Sequence, residues 1–278
     1  MFGILLAGVG NFFAEISESI GKKEGHDRVA SVYTLSFVSL FFGTLFIVIL
    51  GMARDSFVFS LASLPTFIPR AILEILQAYV TTRGIIEASR ADFGFVKSLT
   101  IPLLLVIDLM LGYPLSSLQV LGMALILAAV STLLFYERHT VRGLSFLLIG
   151  AVNASVTISL YKYDISHFNS VEAEQGIIMM ILLVYFFVAA RFIARENPLR
   201  FLARSVFFAQ SFSSGLAHIA NSFAYLFAPP SVIAAAMRSF AVLFALLSGK
   251  LYFHERYFWL KAGLLLLIVG GLVMLIPR

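Results

Sequence analysis

The chain is a succession of apolar runs of about 20 residues. They are broken by short polar stretches such as GKKEGHDR (21–28), GYPLSS (112–117) and APP (228–230). A run of that length is enough for one helical crossing of a bilayer. The pattern predicts helices over 2–20, 30–51, 66–88, 92–111, 116–135, 143–163, 173–193, 205–227, 231–252 and 258–276. The third carries Arg70, Glu74, Gln77, Arg83 and Glu87, and the eighth carries Gln210, Ser213, Ser214, His218 and Asn221. Polar side chains in a membrane helix face the bundle interior or a water-filled cavity, because hydrocarbon cannot solvate them. The first run lacks a basic leader and a small-residue cleavage site, so it reads as a retained helix.

The two halves of the pattern match. Lys97-Ser98 and Gly122 recur 141 residues later as Arg238-Ser239 and Gly263. Upstream, Gly8, Asn11, Ile16 and Ser17 recur 142 residues later as Gly150, Asn153, Ile158 and Ser159. An offset of half the chain predicts a duplication, with residues 1–139 as one five-helix repeat and 140–278 as the other. An odd number of crossings per repeat turns the second copy upside down. The expected fold is therefore all-α, a polytopic membrane protein of about ten transmembrane helices in two inverted repeats. Such repeats commonly enclose a transport site near the bilayer midplane.

Two stretches carry a resemblance: HERYFWLKAGLLLLIVGGLVML (254–275) and its first-half counterpart GYPLSSLQVLGMALILAAVSTLLF (112–135). With ten short-looped helices in a five-plus-five order, the chain resembles the drug/metabolite transporter superfamily, specifically EamA-like transporters. That family usually shows Gly-Glu before the last helix of each half. Here His254-Glu255 and Tyr113-Pro114 stand in those places. The resemblance implies export or exchange of amino acids, other metabolites or drugs.

The residues themselves nominate a site. Arg238 lies about 10 Å inside a helix that begins near Ser231, at about 1.5 Å per residue. It is too deep to reach water easily by extending its side chain. Its repeat twin Lys97 is about five residues inside its own helix, where such extension is easier. Together they form a cation pair, one from each half, that would attract a carboxylate or phosphate. Glu15 shares a helical stripe with Asn11 and Glu18, of which Glu18 is near the expected helix end and expected to be solvated. Glu74 and Gln77 share a stripe with Arg70, and Arg70–Glu74 also reads as a local i, i+4 pair. On the eighth helix His218 and Asn221 form the matching stripe, with His218 at the repeat position of Gln77. The candidate substrate-binding set is thus Arg238, Lys97, Glu15, Glu74, Gln77, His218, Asn11, Asn153 and Asn221. A buried acid or histidine among them would let protons serve as the coupling ion. Tyr33, Tyr79, Phe12, Phe13 and Phe223 are further candidates for cavity walls. Pro102 predicts a kink.

Composition narrows the class. Of 278 residues, 60% are hydrophobic and 13% charged, against roughly 25% charged in soluble domains. The net charge of +5 reads as basic loops, not a nucleic-acid surface. No cysteine is present, which removes disulfides and thiolate chemistry. No H-E-x-x-H, G-x-S-x-G or phosphate-cradling glycine loop occurs, so neither an enzyme nor a cofactor or metal protein is expected. Basic residues, Lys22, Lys23, Arg28, Arg90, Arg204 and Lys261 among them, gather after the odd-numbered helices. Placing them in the cytoplasm puts both termini outside, whereas the resemblance implies termini inside. The expectation is a secondary transporter of small metabolites in a plasma membrane, with the prokaryotic inner membrane favoured by the short loops. It would contact only lipid and substrate, as a monomer or homodimer. The alternatives are a flippase for an anionic lipid and an assembly subunit without a pathway.

Overall fold

The computed structural model describes residues 2–110, 116–136, 143–227, 230–255 and 257–275. Among them the only regular structure is helix. The first half contains α1 (Phe2–His26), α2 (Val32–Ala53), α3 (Leu64–Glu87), α4 (Arg90–Lys97), α5 (Thr100–Met110) and α6 (Ser117–Tyr136). The second contains α7 (Leu144–His167), α8 (Val171–Phe192), a short α9 (Pro198–Leu202), α10 (Ser205–Ala224), α11 (Pro230–Leu251) and α12 (Phe258–Leu275). The expected boundary near residue 139, and Tyr113-Pro114, lie outside the described residues.

Three helices, α2, α7 and α8, are each long and apolar enough to cross a membrane. Large apolar side chains also face outward on many elements, including Ile72 on α3, Val184 and Phe192 on α8, and Leu266 on α12. A soluble monomer rarely leaves so much apolar surface uncovered. Both observations describe an all-α membrane protein.

Serines start several helices. Ser31, Ser89 and Ser170 accept hydrogen bonds from the backbone N–H groups of Thr34, Asp92 and Ala173, which have no partner within their helices. Proline interrupts one expected helix. The run read as a single helix over 92–111 is two, α4 and α5, parted at Ser98–Leu99. Pro102 has no N–H to offer the Ser98 carbonyl, and its ring crowds that carbonyl. The Ser98 carbonyl accepts instead from the Ile101 N–H at 3.1 Å, and the Thr100 hydroxyl donates to the Lys97 carbonyl at 2.8 Å. The expected kink is therefore a full break, and Lys97 closes an eight-residue helix rather than lying five residues inside a long one.

Packing follows the apolar faces. α1 lies against α10 and α11, and α7 against α3 and α5; α2 meets α8, and α6 meets α12. One apolar cluster joins α4, α6, α11 and α12 through Phe95, Ile126, Leu133, Val242 and Ile268. Another joins α2, α3, α8 and α10 through Leu35, Phe67, Ile178, Phe186 and Phe207. The α6–α12 seam is tight at Gly271, where an added Cβ would lie 2.8 Å from the Gly122 carbonyl oxygen. Backbone cannot move aside as a flexible side chain can. Gly271→Val is expected to cost about 1–3 kcal/mol through overpacking, read as a lowered thermal midpoint. Gly263→Ala, where a Cβ would meet nothing within 4 Å, is the silent control.

Candidate functional site

A cavity of about 400 Å³ opens between α1, α2, α3, α4, α8, α10 and α11. α1 presents Asn11, Glu15 and Glu18 to it; α3 presents Glu74 and Gln77; α4 presents Lys97; α10 presents His218 and Asn221; α11 presents Arg238. Eight of the nine nominated residues thus share one wall system. Asn153 does not reach it. Its amide is spent on α3, donating to the Leu73 carbonyl at 2.8 Å and to Gln77 Oε1 at 2.9 Å. Asn11 and Asn153, matched in the sequence pattern, therefore differ in place, one at the cavity and one between helices. The nominated aromatics do not line this cavity. Tyr33 and Tyr79 face a separate pocket of about 920 Å³ across α3, and the aromatic ring in the main cavity is Phe93.

The acids of α1 are organised by a residue that the sequence pattern assigned to a basic loop. Arg90 begins α4 and is 1% exposed. Its Nε and one terminal nitrogen donate to the two oxygens of Glu15 at 3.0 and 2.8 Å. The same terminal nitrogen also donates to Glu18. Glu15 accepts further hydrogen bonds from the hydroxyls of Ser19 and Ser248. Glu18 was expected near a helix end. It is interior because α1 runs on to His26, and its second oxygen lies 3.8 Å from Lys97 Nζ. The one cue to Arg90 in the sequence is that two acids on one stripe of a buried helix require a cation. Lys261, also read as a loop charge, is likewise buried and donates to Asp92 at 2.7 Å.

The opposite wall has its own network. Arg70 is 1% exposed and sits over the Tyr161 ring, with 4.7 Å from its guanidinium carbon to the ring centre. It lies 3.7 Å from Glu74, as the i, i+4 spacing predicted, and donates to Glu174 of α8 and, at 3.3 Å, to Gln175. Glu174 is completely buried and also accepts from Asn169 at 2.6 Å. A smaller space of about 170 Å³, lined by Arg70, Glu74, Tyr161, His218 and Tyr225, adjoins this wall.

Arg238 stands apart. Among the described residues no carboxylate comes within ion-pair distance of it, although Glu18 and Lys97 are near enough to act on its charge. Asn221 Oδ1 is buried without a hydrogen-bond partner among the described residues. The cavity therefore offers an unneutralised guanidinium, a lysine held only loosely by Glu18, and amide, hydroxyl and imidazole groups. This is the donor set for binding a small anion and orienting its polar remainder.

Neither a scan against protein-family models nor a search of curated proteins finds a match to this chain.

Proposed function

We propose that this protein is a multi-pass secondary transporter of the plasma membrane that binds a small anionic metabolite in the cavity between its two halves. The observation that carries this reading is Arg238, which has no ion-pair partner among the described residues and faces a 400 Å³ cavity whose other walls are also polar. Arg238 is half-buried, and a cation drawn out of water without a counterion is costly unless something completes it. The assembly-subunit reading required polar residues paired off with no cavity, so the cavity favours transport over it.

The packing supports an inverted repeat. Exchanging the halves maps α1 to α7, α2 to α8, α3 to α10, α4 and α5 to α11, and α6 to α12. Under that exchange α1 on α10 becomes α7 on α3, and α1 on α11 becomes α7 on α5. The α2–α8 and α6–α12 contacts map onto themselves. Transport would then proceed by one half rocking on the other about the cavity. The resemblance to EamA-like transporters gains support at His254, where glycine is usual. Its φ is 52°, the left-handed region that glycine occupies without strain. The neighbouring Glu255 accepts hydrogen bonds from the first N–H groups of α4, Arg90 and Ala91, linking the two halves.

The test is ligand-dependent thermal stabilisation of the purified, lipid-reconstituted protein by amino acids, organic acids and phosphorylated metabolites, beside Arg238→Ala. A ligand class that stabilises the wild type is expected to lose its effect in Arg238→Ala, a loss of at least about tenfold in apparent affinity for a charge-assisted contact of this kind. If no ligand shifts either protein and Arg238→Ala is merely less stable, Arg238 is a structural residue and the transporter reading fails.

A further inference from the structure

The three cations at the α1–α4–α11 wall are Arg90, Lys97 and Arg238. Two carboxylates answer them. Glu15 is fully committed: it grips Arg90 through both oxygens and holds two serine hydroxyls. Glu18 is not. One of its oxygens accepts from Arg90, and the other reaches toward Lys97 only at 3.8 Å, beyond hydrogen-bond range. Its side chain keeps 22% exposure, against 11% for Glu15 and 1% for Arg90. The Lys97 ammonium has the face of Phe93 at 4.9 Å and no hydrogen-bond acceptor among the described residues. Lys97 and Arg238 are close enough to repel each other. Three positive charges thus converge on the α1–α4–α11 wall, whose adjustable anion is Glu18; Glu74 faces the cavity from α3, 3.7 Å from its own cation Arg70.

We infer, resting on the reading of the cavity as an anion site, that Glu18 is an internal anion that sets the charge of the accepted substrate. With Glu18 in place the wall carries three positive charges and two negative, an excess of one. It takes one carboxylate, at Arg238. A second negative group on the same molecule would have to approach Lys97, where the Glu18 carboxylate already sits, and like charges a few ångströms apart in a buried site repel strongly. Monocarboxylates are therefore accepted, and dicarboxylates and phosphate monoesters are refused by Glu18 rather than by size. This specificity works by placing a repulsive group against the wrong partner, not by adding a contact to the right one.

The experiment uses the reconstituted full-length protein and two probe series, monocarboxylates of three to six carbons and dicarboxylates of the same chain lengths, read by thermal stabilisation. Wild type is expected to respond to the monocarboxylates only. Glu18→Gln keeps the side-chain length and the oxygen that faces Arg90 but removes the negative charge, and raises the excess to two. It is expected to bind dicarboxylates at least about tenfold more tightly than wild type does. Adding Lys97→Gln to Glu18→Gln returns the excess to one and is expected to restore the preference for monocarboxylates. This restoration separates a charge effect from damage to the fold, which a second substitution in the same wall would deepen. If Glu18→Gln keeps the wild-type preference, or the double variant does not revert, Glu18 has no part in selection, while the anion site stands on wild-type binding and its loss in Arg238→Ala. If none of these anions stabilises the wild type, the anion site itself is overturned and this role for Glu18 with it.

Discussion

Replacing Arg90 by alanine is expected to cost about 3–5 kcal/mol of stability, the range seen when one partner is removed from a buried ion pair. The substitution leaves Glu15 with only the hydroxyls of Ser19 and Ser248, and Glu18 with only Lys97 at 3.8 Å. Two carboxylates then remain in a bundle interior that cannot hydrate them. The damage also spreads between halves, because Ser248 belongs to α11 and Glu15 to α1, and α11 packs on both α1 and α4. Arg90→Lys is expected to recover only part of the loss. Lysine keeps the charge, but a single ammonium cannot present the planar fork that meets both Glu15 oxygens at 3.0 and 2.8 Å. Thermal unfolding of the detergent-purified variants, followed by the recovery of monodisperse protein after heating, reads the order directly. A midpoint for Arg90→Ala within about a degree of wild type would mean that the cluster contributes nothing to stability.

The Arg70 network gives the second large effect. Arg70→Met is expected to cost a similar amount, about 3–5 kcal/mol, because Glu174 is completely buried and retains only the amide of Asn169 at 2.6 Å. Here the compensating change is informative. Glu174→Gln in the Arg70→Met background removes the fully buried stranded charge, while Glu74, which also loses Arg70, keeps 23% side-chain exposure. The double variant is expected to regain most of the stability lost by the single one, with an interaction energy of about 1–3 kcal/mol between the sites. Additive losses would show that Arg70 acts through its stacking on Tyr161 and not through its charge. The pair joins α3 of the first half to α8 of the second.

Much of this architecture is legible in the residues. Apolar runs separated by short polar breaks marked nearly every helix, because the only way to satisfy the backbone in an apolar surround is within the helix itself. The stripe of Asn11, Glu15 and Glu18, the stripe of Glu74 and Gln77, and the stripe of His218 and Asn221 each followed from a 3.6-residue period. The cation at Arg238 was visible as a charge deep in an apolar run, about 10 Å from the expected helix start. These are local properties, set within one helix.

Local pairing was legible, as in Arg70–Glu74 at i, i+4; what failed was the judgement of which charges meet across helices. Arg90 and Lys261 lie at positions that read as loop ends, and their burial arises from helices distant in sequence closing over them. Asn153 matches Asn11 in the repeat, yet α3 approaches α7 closely enough for Gln77 and the Leu73 carbonyl to consume its amide. The exposure of Glu18 depended on where α1 stops, and Lys97 on whether Pro102 bends or breaks its helix. By itself the sequence determined the helices, their polar faces and the depth of Arg238 in an apolar run, since periodicity and hydropathy are fixed by neighbours along the chain. Only the tertiary structure decided that Arg90 neutralises α1, that Arg238 is left facing a cavity, and that Glu18 stands between the two. Pairing among buried charges is set by distances of a few ångströms between helices that the chain order does not specify.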